Sequence, residues 1–207
     1  MAKARALMST TGSQSKTREM KDKKILYVES RAEWRKWLEE NFNKEKEIWL
    51  QFPNKASGKL RLLYNDAVEE ALCFGWIDST INKLDADHTI QRFSRRNPKS
   101  KYSQLNKERI KLVLDEGRVH PSLEKSLREI VSREFVLPED ILDEIRNDEA
   151  AWKFFQGLSD AYKRIRLAYI DGARERPEEF ERRMKNFLEK TRQNKLVSGY
   201  GGSEKYY

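Results

Sequence analysis

"EEALCFGWIDST", Glu69 to Thr80, is the stretch whose reading divides this chain. In a sequence that is 37% charged, it sets Cys, Phe, Gly, Trp and Ile together and closes them with Asp78. Upstream of it, Tyr64 to Phe74 has helical spacing, with Val68, Ala71 and Leu72 on the inner face and Asp66 and Glu69 near the positive end. Gly75 reads as a left-handed stop, because a residue without Cβ adopts that conformation at little cost. Past it, "WIDSTINKL" and "TIQRFSRR" are β-prone runs joined by the turn-like "DADH", which predicts a hairpin. Trp76 and Asp78, two residues apart on a strand, share a face, which is the geometry a pocket wall needs.

Working outward toward the N-terminus, "ILYVES" is a short strand whose Ser30 opens a capping box with Glu33. A helix follows, with Trp34, Trp37, Leu38 and Phe42 on one face. "EIWLQFPNK" is a further strand, stopped by Pro53, and "NKASGKL" is a polar turn. These pieces predict a small antiparallel sheet covered by helices.

Toward the C-terminus the pattern is helix after helix. Ser103 to Glu116 stops at Gly117, Pro121 starts the next helix, and Pro138 sits in a first helical turn. Leu158, Tyr162, Ile165, Tyr169 and Ala173 form one apolar stripe, opened by Ser159 as cap, and Phe180, Met184, Phe187 and Leu188 form another. Both read as core. The tail "SGYGGSEKYY" is flexible in composition but carries tyrosines, so docking onto the body is expected. The expected fold class is α+β, organised as a flexible polar arm over 1–24, an α+β region over 25–100 and an all-helical region over 101–207.

Composition excludes several classes. Lys and Arg number 42 against 34 Asp and Glu, for a formal charge of +8. The two signs are interspersed along most helices, which favours a salt-bridged surface over a dedicated polyanion face. Cys73 is the single cysteine, so neither an intrachain disulfide nor a thiolate metal cluster forms within one chain. With only His88 and His120 beside it, no structural zinc site is expected, and no cofactor. No run reads as a secretory signal or a membrane span, so a cytoplasmic protein without membrane insertion is expected.

Common catalytic signatures are missing as well. There is no G-x-x-x-x-G-K-[ST] loop, G-x-S-x-G elbow, H-E-x-x-H helix or EF-hand loop, and "GYGG" lacks the helix a dinucleotide fingerprint requires. Cys73 falls at a helix C-terminus, where the dipole disfavours a thiolate, so it reads as a small buried residue. Glu69, Glu70 and Asp78 form a carboxylate set suited either to acid/base work or to complementing the helix dipole.

The other dense segment is "QRFSRRNPKSKYSQLNKER", Gln91 to Arg109. It gathers Arg92, Arg95, Arg96, Lys99 and Lys101 with Ser94, Ser100, Tyr102 and Ser103 ahead of a helix. Fixed cations, hydroxyls and free backbone N–H groups in that arrangement suit a phosphate or a carboxylate.

"EEALCFGWIDS" followed by "QRFSRRNPKSKYSQLNKERI" resembles the YdeI/OmpD-associated family, also described as bacteriocin-protection proteins. The matching residues are Ala71, Leu72, Cys73, Phe74, Gly75, Trp76, Ile77 and Asp78, then Arg92, Phe93, Arg95, Pro98, Ser100, Ser103, Asn106, Lys107, Glu108 and Arg109. The segment from "VLPED" to "RRMKNFL" is similar to the family's helical region, so the resemblance runs from about Ile25 to Tyr207. Tyr102 stands where the family commonly has Trp, and Ser79 where Gly is usual. The resemblance implies a stress-protection role connected with bacteriocins or cationic peptides, and no transferable enzymatic activity.

The leading expectation is a stress-protection protein, leaning toward a non-enzyme, that binds a small anionic ligand. Its candidate site is Trp76, Asp78, Arg92, Arg95, Arg96, Ser100 and Tyr102. The alternatives are a nucleic-acid-binding protein using the basic 92–109 segment, and an enzyme with Asp78 or Glu70 as general base.

Overall fold

The computed structural model describes residues 23–199 and 201–207, so the polar arm expected over 1–24 lies, except for Lys23 and Lys24, outside the described residues. The described chain divides into two compact units that interleave in sequence. One holds the described residues up to Leu62 together with Trp76–Arg95, and the other holds Leu63–Gly75 and Arg96–Tyr207. The α+β division read from the sequence holds, with strands in the N-terminal half and helices dominating the C-terminal region.

The first unit is a four-stranded sheet in the order β1-β2-β4-β3, with β1 at Ile25–Tyr27, β2 at Glu47–Pro53, β3 at Trp76–Lys83 and β4 at His88–Arg95. Helix α1, Arg31–Asn41, lies between β1 and β2 in sequence. Ser30 caps it by accepting from the Glu33 backbone N–H, and Glu33 accepts in turn from the Glu29 N–H. The sheet is mixed, where an antiparallel one was expected. β2, β4 and β3 pair antiparallel, but β1 runs parallel to β2, with Ile25 opposite Trp49. The physical reason is the α1 crossover: a helix between two strands can return the chain to run in the same direction, whereas a tight turn cannot.

Register fixes the faces. Phe93 stands opposite both Ile48 and Asp78, so these share one face of the sheet with Trp76. Arg92, next to Phe93 on β4, pairs with Trp49 and faces the other way. The first face receives α1: Trp34 meets Phe93 edge-on at 5.5 Å, Trp37 meets Trp76 edge-on at 5.7 Å, and the two helix tryptophans stack at 5.3 Å. Trp34, Trp76 and Phe93 are fully buried. Each such side chain contributes about 1.5–3 kcal/mol by leaving water.

The second unit is helical: α2 at Tyr64–Cys73, α3 at Gln104–Asp115, α4 at Pro121–Ser132, α5 at Glu139–Arg146, α6 at Glu149–Gln156, α7 at Asp160–Asp171 and α8 at Pro177–Arg192. Gly75 ends the α2 region with φ +72°. Ser103 and Ser159 cap α3 and α7 through their side-chain oxygens, and Pro121 is the first residue of α4. Ile145, Phe155, Tyr162, Ile170 and Phe187 build a core from α5, α6, α7 and α8. The two apolar stripes read from the sequence converge there, Tyr162 stacking on Phe187 at 6.4 Å.

The described part of the tail is docked within this unit. Arg166, 2% exposed, donates to Val197 O, Ser203 Oγ and Tyr207 OH, and Tyr207 packs edge-on against Tyr162 at 4.7 Å.

Candidate functional site

Glu69 and Glu70 on α2 are 0% and 1% exposed. Buried carboxylates at that depth need partners, since an isolated ion in an apolar interior is strongly disfavoured. Arg118 supplies them from the loop after α3, donating Nη1 to Glu70 at 2.8 Å and Nη2 to Glu69 at 3.1 Å. Glu69 also accepts from Lys205 Nζ and Tyr206 OH, each at 2.6 Å. Burial, reinforced by the bond to Glu69, pushes the Tyr206 phenol well above its usual range. Beside them Arg109 donates to Asn65 at 3.0 Å, Asn106 at 2.8 Å and the Gly201 carbonyl. These bonds tie α2 and α3 to the C-terminal tail. Cys73 is fully buried.

The other residues singled out in the sequence fall in both units. In the first, Trp76 is fully buried, its indole N–H donating to Phe42 O at 3.2 Å, so its ring offers packing and no free surface. Asp78 accepts from Gln91 Nε2 at 2.7 Å on the same face of the sheet. Arg92, on the opposite face, makes a two-nitrogen contact with Glu47, at 2.9 and 2.6 Å, which holds that carboxyl below the usual range. Arg95 donates to Glu45 O at 2.9 Å.

In the second unit, Arg96, Ser100 and Tyr102 come together. The Arg96 guanidinium lies 3.4 Å over the centre of the Tyr102 ring. It is pinned there by donating to Asn97 O at 3.2 Å and to the Ser100 carbonyl. Burial pushes the Tyr102 phenol pKa up, against the opposing pull of Arg96.

This pair lines a groove of about 540 Å3 with Pro98, Lys101, Lys107, Ser126, Glu129, Ile130 and Arg133. Ser103 caps the helix that carries Lys107. Ser126, Glu129, Ile130 and Arg133 are spaced i, i+3, i+4, i+7 from α4 to just past its end, which is one helix face. Among the described residues, Arg96, Lys101, Lys107 and Arg133 have no carboxylate partner. Several arginines elsewhere are paired: Arg118 with Glu69 and Glu70, Arg128 with Glu124, Arg146 with Glu139, Arg164 with Glu108, Arg174 with Asp140 and Arg192 with Asp148. The interspersed charge read from the sequence is therefore consumed in ion pairs over much of the surface and left uncompensated at this groove.

Ser126, Glu129, Ile130 and Arg133 were not among the residues picked from the sequence, and Lys107 stood there only as part of the resemblance and of the basic 92–109 segment. The signal that locates the α4 members is the polar stripe in "SLREIVSR", which by itself looks like any solvated helix face.

Comparison with known families divides the chain in two. Residues 134–194, which span α5 to α8, match the family described as Bacteriocin-protection, YdeI or OmpD-Associated. The resemblance read from the sequence is thus matched over residues 134–194. Residues 26–126, which hold the "EEALCFGWIDS" signature and most of the groove, match a family described as Domain of unknown function (DUF8412). No curated protein and no solved structure matches the chain. No helix among the described residues is long and apolar enough to cross a membrane.

Proposed function

We propose that this protein serves in protection against bacteriocins by binding a small phosphate- or carboxylate-bearing molecule in the groove between α3 and α4, in the cytoplasm and without catalysing a reaction. The family description of residues 134–194 supports the protective role. The observation that carries the binding is the unpaired charge: four cations line one groove, with Glu129 as the single acidic residue among the lining groups. Concentrated positive charge in a concave site raises the local concentration of anions.

Of the residues first singled out, Arg96, Ser100 and Tyr102 form the site. Trp76, Asp78, Arg92 and Arg95 act in the first unit by packing and pairing. Glu70, held by Arg118 and 1% exposed, is not placed to take a proton from a substrate.

Thermal melting in phosphate, pyrophosphate and citrate, at matched ionic strength, tests this. Binding to the native state raises apparent stability by RT ln(1 + [L]/Kd), about 2.7 kcal/mol at a hundredfold excess over Kd. The expected result is a concentration-dependent rise in Tm that Lys101→Glu combined with Arg133→Glu abolishes. Equal melting in every anion and in sodium chloride would sink the proposal. A gel shift with DNA or RNA that persists at low salt and collapses at moderate salt would favour a phosphate-backbone site instead.

A further inference from the structure

We propose that the groove takes a nucleoside phosphate, the base lying against the Tyr102–Arg96 pair and the phosphates against Lys101, Lys107 and Arg133. This rests on the anion-binding reading above and narrows it to one class of molecule.

Three features carry the narrowing. The first is size. A groove of about 540 Å3 lies within the range of roughly 300–1,000 Å3 typical of sites for whole small molecules, and a bare phosphate fills only a small part of it.

The second is the division of labour among the cations. Arg96 has its guanidinium committed to two backbone carbonyls and to the Tyr102 face. A guanidinium fixed in a plane over an aromatic ring is a stacking surface, and stacking of a base on such groups contributes about 1–3 kcal/mol. Lys101 and Arg133 are exposed and carry no ion pair among the described residues, which leaves them to meet phosphate oxygens. The Lys107 ammonium donates to the Arg133 carbonyl at 3.5 Å and, among the described residues, carries no ion pair.

The third is mixed polarity along the α4 face. From Ser126 to Arg133 that face extends about 10 Å, seven residues at a rise of 1.5 Å each. Arg133 at one end suits phosphate. Glu129, one turn earlier, repels a phosphate but accepts from sugar hydroxyls or an exocyclic amine, and Ser126 and Ile130 complete a wall for a neutral, partly apolar moiety. An inorganic anion has no use for that half of the groove; a nucleoside does.

Isothermal titration of the full chain with ADP, UDP, pyrophosphate and adenosine tests the assignment. The nucleoside diphosphates are expected to bind at least about tenfold more tightly than pyrophosphate and to compete with it, a gain of about 1.4 kcal/mol. Tyr102→Leu is expected to bring the affinity for ADP down to that for pyrophosphate, and Tyr102→Trp to restore the gain. Lys101→Glu is expected to weaken all the phosphate ligands together. If pyrophosphate and the nucleoside diphosphates bind equally, or if the gain survives Tyr102→Leu, the nucleoside assignment falls and the anion site stands. If none of them binds, both fall. A single-stranded oligonucleotide that binds more tightly than ADP with a steep salt dependence also overturns the assignment, because the groove is then part of a polymer track.

Discussion

Tyr206 donates its phenol to Glu69 at 2.6 Å across 137 positions of sequence. Glu69 is fully buried, and this bond with those from Arg118 and Lys205 helps a carboxylate to sit inside the helical unit. Tyr206→Phe removes this donor, and with it the acceptor of the Arg109 Nε bond at 3.3 Å, without changing ring size. The expected loss is about 1–2 kcal/mol, read as a lower urea midpoint with an unchanged slope.

The same residue gives a pH signature. Its folded pKa is raised above the ordinary phenol value near 10, so the neutral form is favoured in the native state. Its contribution is fully present below about pH 10 and is lost as pH rises through the folded value. Wild-type stability should therefore fall more steeply than that of Tyr206→Phe above pH 10. Parallel alkaline limbs in urea titrations of the two proteins would count against this account.

Glu108 predicts the opposite limb. It is 7% exposed, and although burial pushes its pKa up, bonds from Arg164 at 2.8 Å and Gln104 at 2.7 Å bring it below the usual carboxylate range. A depressed pKa contributes stability above the unfolded value, about 4.3, that disappears as pH falls through the folded one. Glu108→Gln should cost about 2 kcal/mol at neutral pH and flatten the acid side of the stability profile, measured by urea unfolding between pH 3 and 7.

Gly75 and Gly117 separate backbone strain from crowding. Both have positive φ, +72° and +64°. A Cβ at Gly75 would meet the Leu123 side chain at 3.3 Å, whereas one at Gly117 meets nothing. Gly117→Ala should cost about 1 kcal/mol from the left-handed backbone alone. Gly75→Ala should cost the same strain plus whatever displacing the Leu123 methyl requires, giving the larger drop in melting temperature.

Trp76→Phe distinguishes a packing residue from a binding one. The variant loses the indole bond to Phe42 O and part of the edge contact with Trp37, at about 1–3 kcal/mol. Because the Trp76 ring has no exposed surface, phosphate and nucleotide titrations should be unchanged. A weakened Kd in a variant that remains folded would return Trp76 to the site.

Much of the local architecture was legible because its causes are local. The Gly75 stop follows from backbone sterics, and the caps at Ser30, Ser103 and Ser159 follow from one side-chain oxygen each. The strand spacing that put Trp76 and Asp78 on one face is confirmed by their register against β4. What was not legible depends on distant residues. Alternation tells which way Trp76 points, but not that Trp37 and Phe42 would cover it. The direction of β1 depends on where α1 returns the chain. The groove needed α4, whose polar stripe gains meaning only beside the Arg96–Tyr102 pair. Glu69 and Glu70 read as acid/base candidates or dipole complements because Arg118, 48 and 49 positions away, could not be assigned to them from spacing.

The bonds from Lys205 and Tyr206 to Glu69 also bear on kinetics. They close loops of 136 and 137 residues, and long loops are slow to close because ordering entropy is spent before the contact forms. The contacts of helix α2 with the tail are therefore expected to form late in the folding of its unit. Mutations at this junction should act chiefly on the unfolding rate and leave the refolding rate nearly unchanged.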